Sequence, residues 1–157
     1  MRKRIISSVQ QETTPPDREW LNMEALAEVE ITSEDDAHPI EYALIPGHVQ
    51  GWRAAGSGEQ KIRLLFATPQ RLQRIWLNFI ETQIARTQEF VLSWSPDGGK
   101  TLHEIVRQQW NFSPSGATRE TEDLHVDLSV VTLLELNIIP DISGGNAFAS
   151  LAQMRLA

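Results

Sequence analysis

The chain of 157 residues contains no cysteine, which excludes a disulfide framework, a thiolate metal site and a thiol nucleophile. It also lacks any apolar run close to the ~18 residues that a membrane-spanning helix needs. The basic start at residues 1–4 is followed by too short an apolar stretch for a secretory signal peptide. Together these absences predict a cytoplasmic protein with no membrane span.

Basic residues are also fewer than acidic ones. Asp and Glu total 21 against 14 Lys and Arg, which gives a formal net charge of −7. A general nucleic-acid binder needs a basic face that displaces counterions from phosphates, so we expect no nucleic-acid partner. Between Glu19 and Glu41 there is no Lys or Arg, and we interpret that stretch as a solvated acidic edge.

Catalytic motifs are missing as well. Neither the Gly-x-Ser-x-Gly elbow of hydrolases nor the His-Glu-x-x-His zinc motif occurs, because His103-Glu104 has no second histidine after it. His103 and His125 fall on segments that alternate like strands, where we expect solvent-facing side chains. We therefore predict that the chain is not an enzyme and has no catalytic residue.

Gly99-Lys100-Thr101 ends like a phosphate-binding loop, but the rest of that motif is absent. Its opening glycine would fall at Trp94, and Pro96 within the loop has no amide hydrogen to donate. The alternative is a hairpin turn, with Pro and Asp at its central positions and glycines free to take positive φ. The sequence therefore predicts a turn between two strands at residues 95–99.

Apolar and polar residues alternate with a period of two through much of the chain, which is typical of half-buried strands. The alternating segments are residues 27–32, 61–66, 74–81, 89–94, 123–128 and 133–139. Clusters of Pro, Gly, Asn, Asp and Ser separate them, so the sequence predicts an all-β fold of two packed antiparallel sheets. Residues 1–17 are polar and end in Thr-Thr-Pro-Pro, which predicts a flexible arm before a single domain over residues 18–157.

Between about residue 26 and residue 157, many residues that are only weakly specific for a family one by one occur in a recognisable order along the chain. They are Ser33, Pro39, Ala43-Leu44, Trp52, Gly58, Gln60-Lys61-Ile62, Phe66 and Pro69, followed by the hairpin segment 93–105 and the closing segment 150–156. This order resembles that of discoidin-type domains, also called coagulation-factor C-type domains, and of family 32 carbohydrate-binding modules. The resemblance implies an antiparallel jelly-roll β-sandwich with the galactose-binding-domain-like fold.

The resemblance also implies a structural calcium ion, held between an Ala-Leu-Asp-Gly turn and a glutamate of the last strand. Here Ile45 stands where that aspartate would lie, and Gln153 stands at the position of the glutamate. Calcium prefers several oxygen ligands that include carboxylates, so we expect no metal and no other cofactor. Asp35 and Asp36 are the weak alternative ligands, in a stretch that we otherwise interpret as a solvated acidic loop.

Binding in a β-sandwich is expected at its loops, because the strands form the scaffold. Sugar recognition needs an aromatic platform with a few placed polar groups, and residues 107–120 have that composition. The candidate ligand-binding residues in this segment are Trp110, Asn111, Phe112 and Arg119, and those near the first strand turn are His38, His48 and Arg53. The alternative for Trp110 and Phe112 is that both rings fill the core, and we expect Trp52 to be packed. The glycine-rich segment 141–148 either lets a ligand approach the backbone or only turns the chain.

The leading hypothesis from the sequence is a non-catalytic module that binds a carbohydrate through loops at one end of the sandwich. The alternative is an intracellular protein–protein interaction domain of the same fold, in which assembly of like chains into a homo-oligomer is one form of the interaction. That alternative is based on the acidic stretch and on three arginines that we expect to be exposed, Arg71, Arg74 and Arg86.

Overall fold

The structure is a computed structural model that describes residues 20–157, so the predicted arm at residues 1–17 lies outside the described part. The strands are β1 (Ala27–Ile31), β2 (Trp52–Ser57), β3 (Gln60–Ile80), β4 (Arg86–Ser95), β5 (His103–Phe112), β6 (Arg119–Ile139), β7 (Phe148–Leu151) and β8 (Gln153–Leu156). The one-turn helices are α1 (Met23–Leu26) and α2 (Glu41–Leu44). Within residues 20–157 no helix is long and apolar enough to cross a membrane.

The two longest strands, β3 and β6, pair antiparallel along their whole length and belong to both layers of the fold. The first half of β3 pairs with β1 and with the second half of β6, which continues to β4 and then β5. The second half of β3 pairs with the first half of β6 and with β8, and β2 pairs with β7 in a separate small sheet. Register shifts between Leu65 and Arg74 separate the two halves of β3, as β-bulges do where strands bend. The all-β jelly-roll sandwich predicted from the sequence is confirmed.

The core lies between the two layers and follows the alternation of the strands. Ile62, Leu64 and Phe66 of β3 are buried, as are Phe90 and Leu92 of β4. In the second half of β3 the alternation is lost, because residues 75–79 are all buried. Both faces are covered there. The core covers one face, and on the other face Arg155 of β8, directly opposite Trp76, donates to the Ala43 carbonyl of α2.

The turn at residues 95–101 forms the predicted hairpin between β4 and β5. Gly98 and Gly99 both have positive φ, and Asp97 Oδ1 accepts hydrogen bonds from Ser95 Oγ at 2.7 Å and from the Thr101 backbone N at 2.9 Å. These bonds lower the pKa of Asp97 to about 2, and the bond from Ser95 contributes most to this change. The Gly99 amide donates to Ser95 Oγ at 2.9 Å and the Gly98 amide donates to Thr132 Oγ1 of β6 at 2.8 Å. Because both amides already have partners in the protein, the resemblance of this segment to a phosphate loop does not extend to its structure.

A polar cluster is buried between β4 and the start of β6, and it corrects two expectations. Arg86 is buried, not exposed, because its guanidinium donates to Glu81 Oε1 at 2.8 Å and to the Pro140 carbonyl at 2.7 Å. Its Cζ lies 4.9 Å from the ring centroid of Phe112, which is only 2% exposed. Phe112 is therefore a core residue and is unavailable as a sugar platform. Next to this cluster, Gln88 donates to Glu120 at 3.3 Å.

Candidate functional site

The loop after β1 is fixed against the start of β2 by backbone hydrogen bonds. The Asp35 N donates to the Arg53 carbonyl at 2.8 Å, and the Arg53 N donates to the His38 carbonyl at 3.2 Å. Trp52 is buried next to them, as expected, and its Nε1 donates to the Ser33 carbonyl at 3.1 Å. Asp35 and His38 therefore have fixed positions beside Arg53.

The side chains of Asp35 and His38 are joined by a hydrogen bond, with Asp35 Oδ2 2.9 Å from His38 Nδ1. This bond is the main cause that lowers the pKa of Asp35 below its ordinary value of 3.8. In the neutral ring Nδ1 then carries the hydrogen, which leaves Nε2 as an acceptor. About a third of the His38 side chain is exposed, so a ligand can reach the ring.

Arg53 lies on an aromatic surface supplied by β7. Its Cζ is 5.2 Å from the ring centroid of Phe148, a cation–π distance. Arg53 is exposed and Phe148 is half-buried. In the register of β2 and β7, Ser150 lies directly opposite Arg53, so its side chain is on the same face. The result is a guanidinium, an aromatic ring and a hydroxyl on one rigid two-stranded surface.

Two concavities lie on either side of Arg53. One, of about 190 Å³, is lined by His38, Val49, Gln50, Trp52, Arg53, Ile80, Ser150, Leu151 and Ala152. The other, of about 330 Å³, is lined by Glu34, Asp35, Asp36, Arg53, Ala54, Ala55 and Phe148. We call Asp35, His38, Arg53 and Phe148, with these two concavities, the Arg53 site.

Gly51 holds the wall of the smaller concavity close to β7. Its φ is +71°, and a Cβ there would lie 2.5 Å from the Leu151 carbonyl oxygen, so no other residue fits without a backbone shift. On the rim beside it, Val49 is 90% exposed. The ring of the neighbouring His48 stacks on Tyr42 at 4.4 Å and is only partly accessible.

The structure thus brings two of the predicted ligand residues, His38 and Arg53, into one site, with His48 next to its rim. The predicted residues of β5 lie in the other sheet, where Trp110 is 37% exposed and Asn111 Oδ1 accepts from Thr87 Oγ1 at 2.6 Å. Arg119 is exposed at the start of β6, directly opposite Ile80, which lines the smaller concavity.

No family model and no curated protein matches the sequence, but solved structures are similar to it. A chitosan-binding module of a chitosanase/glucanase from Paenibacillus sp. IK-5 has a TM-score of 0.62 and 14% identity, covering 87% of this chain and 98% of that one. The family 32 carbohydrate-binding module of C. perfringens NanJ, solved with galactose, has a TM-score of 0.59 and 14% identity, covering 83% and 92%. XRCC1, solved bound to the DNA pol beta catalytic domain, has a TM-score of 0.59 and 13% identity, covering 84% and 95%. The chain has the galactose-binding-like fold.

The calcium ion that the galactose-binding-like fold implies does not fit the residues that this chain offers. Ile45 follows α2 and contributes no oxygen from its side chain, and Gln153 replaces a carboxylate by an amide. Arg155 of β8 is 2% exposed and donates from Nη1 to the Ala43 carbonyl at 2.9 Å. Within residues 20–157 no three His, Asp or Glu side chains are grouped to hold a metal ion.

Sequence reasoning missed Phe148, which supplies the aromatic ring of the Arg53 site. The sequence distinguishes the segment 141–148 only by its glycines. No local pattern around Phe148 indicates that its ring is exposed. Its role depends on the pairing of β7 with β2, two strands separated by most of the chain. Gln50 and Ser150 were missed for the same reason.

Proposed function

We propose that this chain is a non-catalytic carbohydrate-binding module that holds a sugar at the Arg53 site. The observation that carries the proposal is that the exposed Arg53, whose guanidinium lies over the Phe148 ring, lines two open concavities, one shared with His38 and the other with Phe148. A sugar has one apolar face and a ring of hydroxyls, so it is recognised by an aromatic surface with a few fixed donors and acceptors.

Each group has a chemical role in this proposal. Arg53 donates to two neighbouring hydroxyl oxygens through its planar fork. His38 Nε2 accepts from a hydroxyl, since Asp35 holds Nδ1. The part of the half-buried Phe148 ring that Arg53 leaves uncovered packs against the apolar face of the sugar. The backbone bonds between Asp35, His38 and Arg53 fix these groups in advance, which reduces the entropy lost on binding.

Two structurally similar modules support a sugar as the ligand class, since one is named for chitosan and the other was solved with galactose. Their low identity gives no ligand for this chain. The alternative, a protein-interaction domain, has support from the exposed Val49 on the rim and from the similarity to XRCC1 in its complex. Its other support is weaker than the sequence indicated, because Arg86 is buried and Arg71 and Arg74 pair with Asp127 and Asp123.

A glycan array that includes galactosides and chito-oligosaccharides tests the proposal. We expect wild-type protein to bind at least one glycan class and Arg53→Met to lose that binding while keeping its melting temperature, because Arg53 is exposed. Arg71→Met is the matched control, since it removes an exposed arginine from β3, away from the Arg53 site. Trp110→Ala controls for an exposed aromatic in the other sheet.

Two outcomes would count against the sugar proposal. Glycan binding that survives Arg53→Met but disappears in Trp110→Ala would move the site to β5. An array without any hit, together with a protein partner whose binding is lost in Arg53→Met, would favour the interaction domain instead.

A further inference from the structure

We propose that the guanidinium of Arg155 takes the place of the structural calcium ion of the galactose-binding-like fold, so that this chain folds to full stability without a metal. The proposal does not depend on what the Arg53 site binds. It is based on where Arg155 lies, on what it donates to and on what the neighbouring positions lack.

Arg155 joins the two chain segments that the calcium ion would join. Its Nη1 donates to the carbonyl of Ala43 in α2 at 2.9 Å and to the carbonyl of Met154 in β8 at 2.8 Å. Ala43 is two residues before Ile45, the position of the missing aspartate. Gln153, the position of the missing glutamate, lies two residues before Arg155 and therefore on the same face of β8.

The bond to Ala43 also meets a need of the helix itself. The last carbonyls of a helix have no partner within it, and a cation near the helix C-terminus interacts favourably with them. Since α2 has only one turn, it cannot hold its own position by internal bonds. A hydrogen bond between residues 112 positions apart in the chain therefore ties α2 to the closing strand.

A calcium ion and Arg155 exclude one another at this place. The guanidinium is always charged and is here 2% exposed, so a divalent cation beside it would be strongly repelled in a medium of low polarisability. The Ala43 carbonyl, which could serve as a ligand, already accepts from Arg155. With Ile45 and Gln153 as neighbours, no carboxylate at these two positions offsets the repulsion.

The first test measures the thermal unfolding of the wild-type protein by circular dichroism, once in excess EDTA and once in millimolar calcium chloride. We expect the two melting temperatures to agree within about 2 °C, since a ligand that does not bind the native state adds no stability. A larger rise of the melting temperature in calcium would overturn the proposal.

The second test asks whether Arg155 acts as the clamp. We expect Arg155→Met to lower the melting temperature by about 5–10 °C, since it leaves a buried carbonyl without its donor. Arg155→Lys keeps the charge but not the planar fork and should lie between Arg155→Met and wild type. The matched control is Arg71→Met, which removes a mostly exposed arginine and should change little.

The proposal is wrong if Arg155→Met melts no lower than Arg71→Met. Should Arg155→Met fail to fold, Arg155→Lys decides the matter. A folded Arg155→Lys that melts below the control supports the clamp, and one that melts with the control overturns it.

Discussion

Glu120 should make the stability of this fold decrease as the pH rises from weakly acidic to weakly basic. Its carboxyl is 2% exposed, and its Oε2 is buried without a hydrogen-bond partner. Burial, followed by the neighbouring carboxyl of Glu122, raises the pKa of Glu120 from 4.5 to about 8. The native state therefore holds a proton at neutral pH that the unfolded state has released. Stability decreases with pH wherever the native state binds more protons than the unfolded state.

The magnitude follows from the size of the pKa change. A change from 4.5 to about 8 at a single independent site corresponds to ~5 kcal/mol. Glu122 is only half-buried and shares the titration, so part of the change belongs to the pair. We therefore expect Glu120 to cost ~2–3 kcal/mol of unfolding free energy above pH ~8, little below pH ~4.5, and intermediate amounts between.

The perturbation that isolates this effect is Glu120→Gln, which keeps the shape and is neutral at every pH. Urea denaturation at several pH values between 4 and 9 gives the unfolding free energy of both proteins. We expect the unfolding free energy of the variant to increase relative to that of the wild type as the pH rises, until the variant is the more stable protein by ~2–3 kcal/mol. Carboxyl groups other than Glu122 titrate alike in both proteins, so they cancel in the difference, which therefore reports the Glu120–Glu122 pair. A difference that stays constant across this range would refute the reasoning.

Two further substitutions test the packing. Gly51→Ala should lower the unfolding free energy by ~2 kcal/mol or more in urea denaturation and weaken ligand binding, because its Cβ would lie 2.5 Å from the Leu151 carbonyl oxygen. The control is Gly56→Ala, whose Cβ would lie in open space. Equal losses of unfolding free energy in the two variants would contradict the account. Phe112→Ala should cost ~3–5 kcal/mol and Trp110→Ala clearly less, because only the first ring is fully buried. Equal losses in denaturation curves would contradict that assignment of core and surface.

Local patterns in the sequence were sufficient to predict much of the scaffold. The alternation around Ile62 and Leu64 marks β3 because a strand places successive side chains on opposite faces. The Pro-Asp-Gly-Gly segment predicts the β4–β5 hairpin because only glycine tolerates the positive φ of Gly98 and Gly99 at little cost.

The remaining features depend on contacts between distant segments, which no local pattern reveals. Trp76 and Asn78 are buried on the face of β3 opposite the core, where Arg155 of the paired strand β8 donates to the carbonyl of Ala43 in α2. A strand pattern does not show that a second face is covered. Arg86 looks like a surface residue until Pro140 and Glu81 are brought to it. Arg53 was a candidate from its loop alone, but its partner Phe148 depends on the register of β2 with β7.

The most direct test of the central claim, a sugar at the Arg53 site, is an NMR titration of isotope-labelled protein with galactose and with chito-oligosaccharides. The account predicts that one of these sugars shifts the backbone amide signals of Asp35, His38, Arg53 and Phe148 and leaves those of residues 108–112 in β5 unchanged. Shifts centred on Trp110, or no shift at the Arg53 site with either sugar, would contradict it.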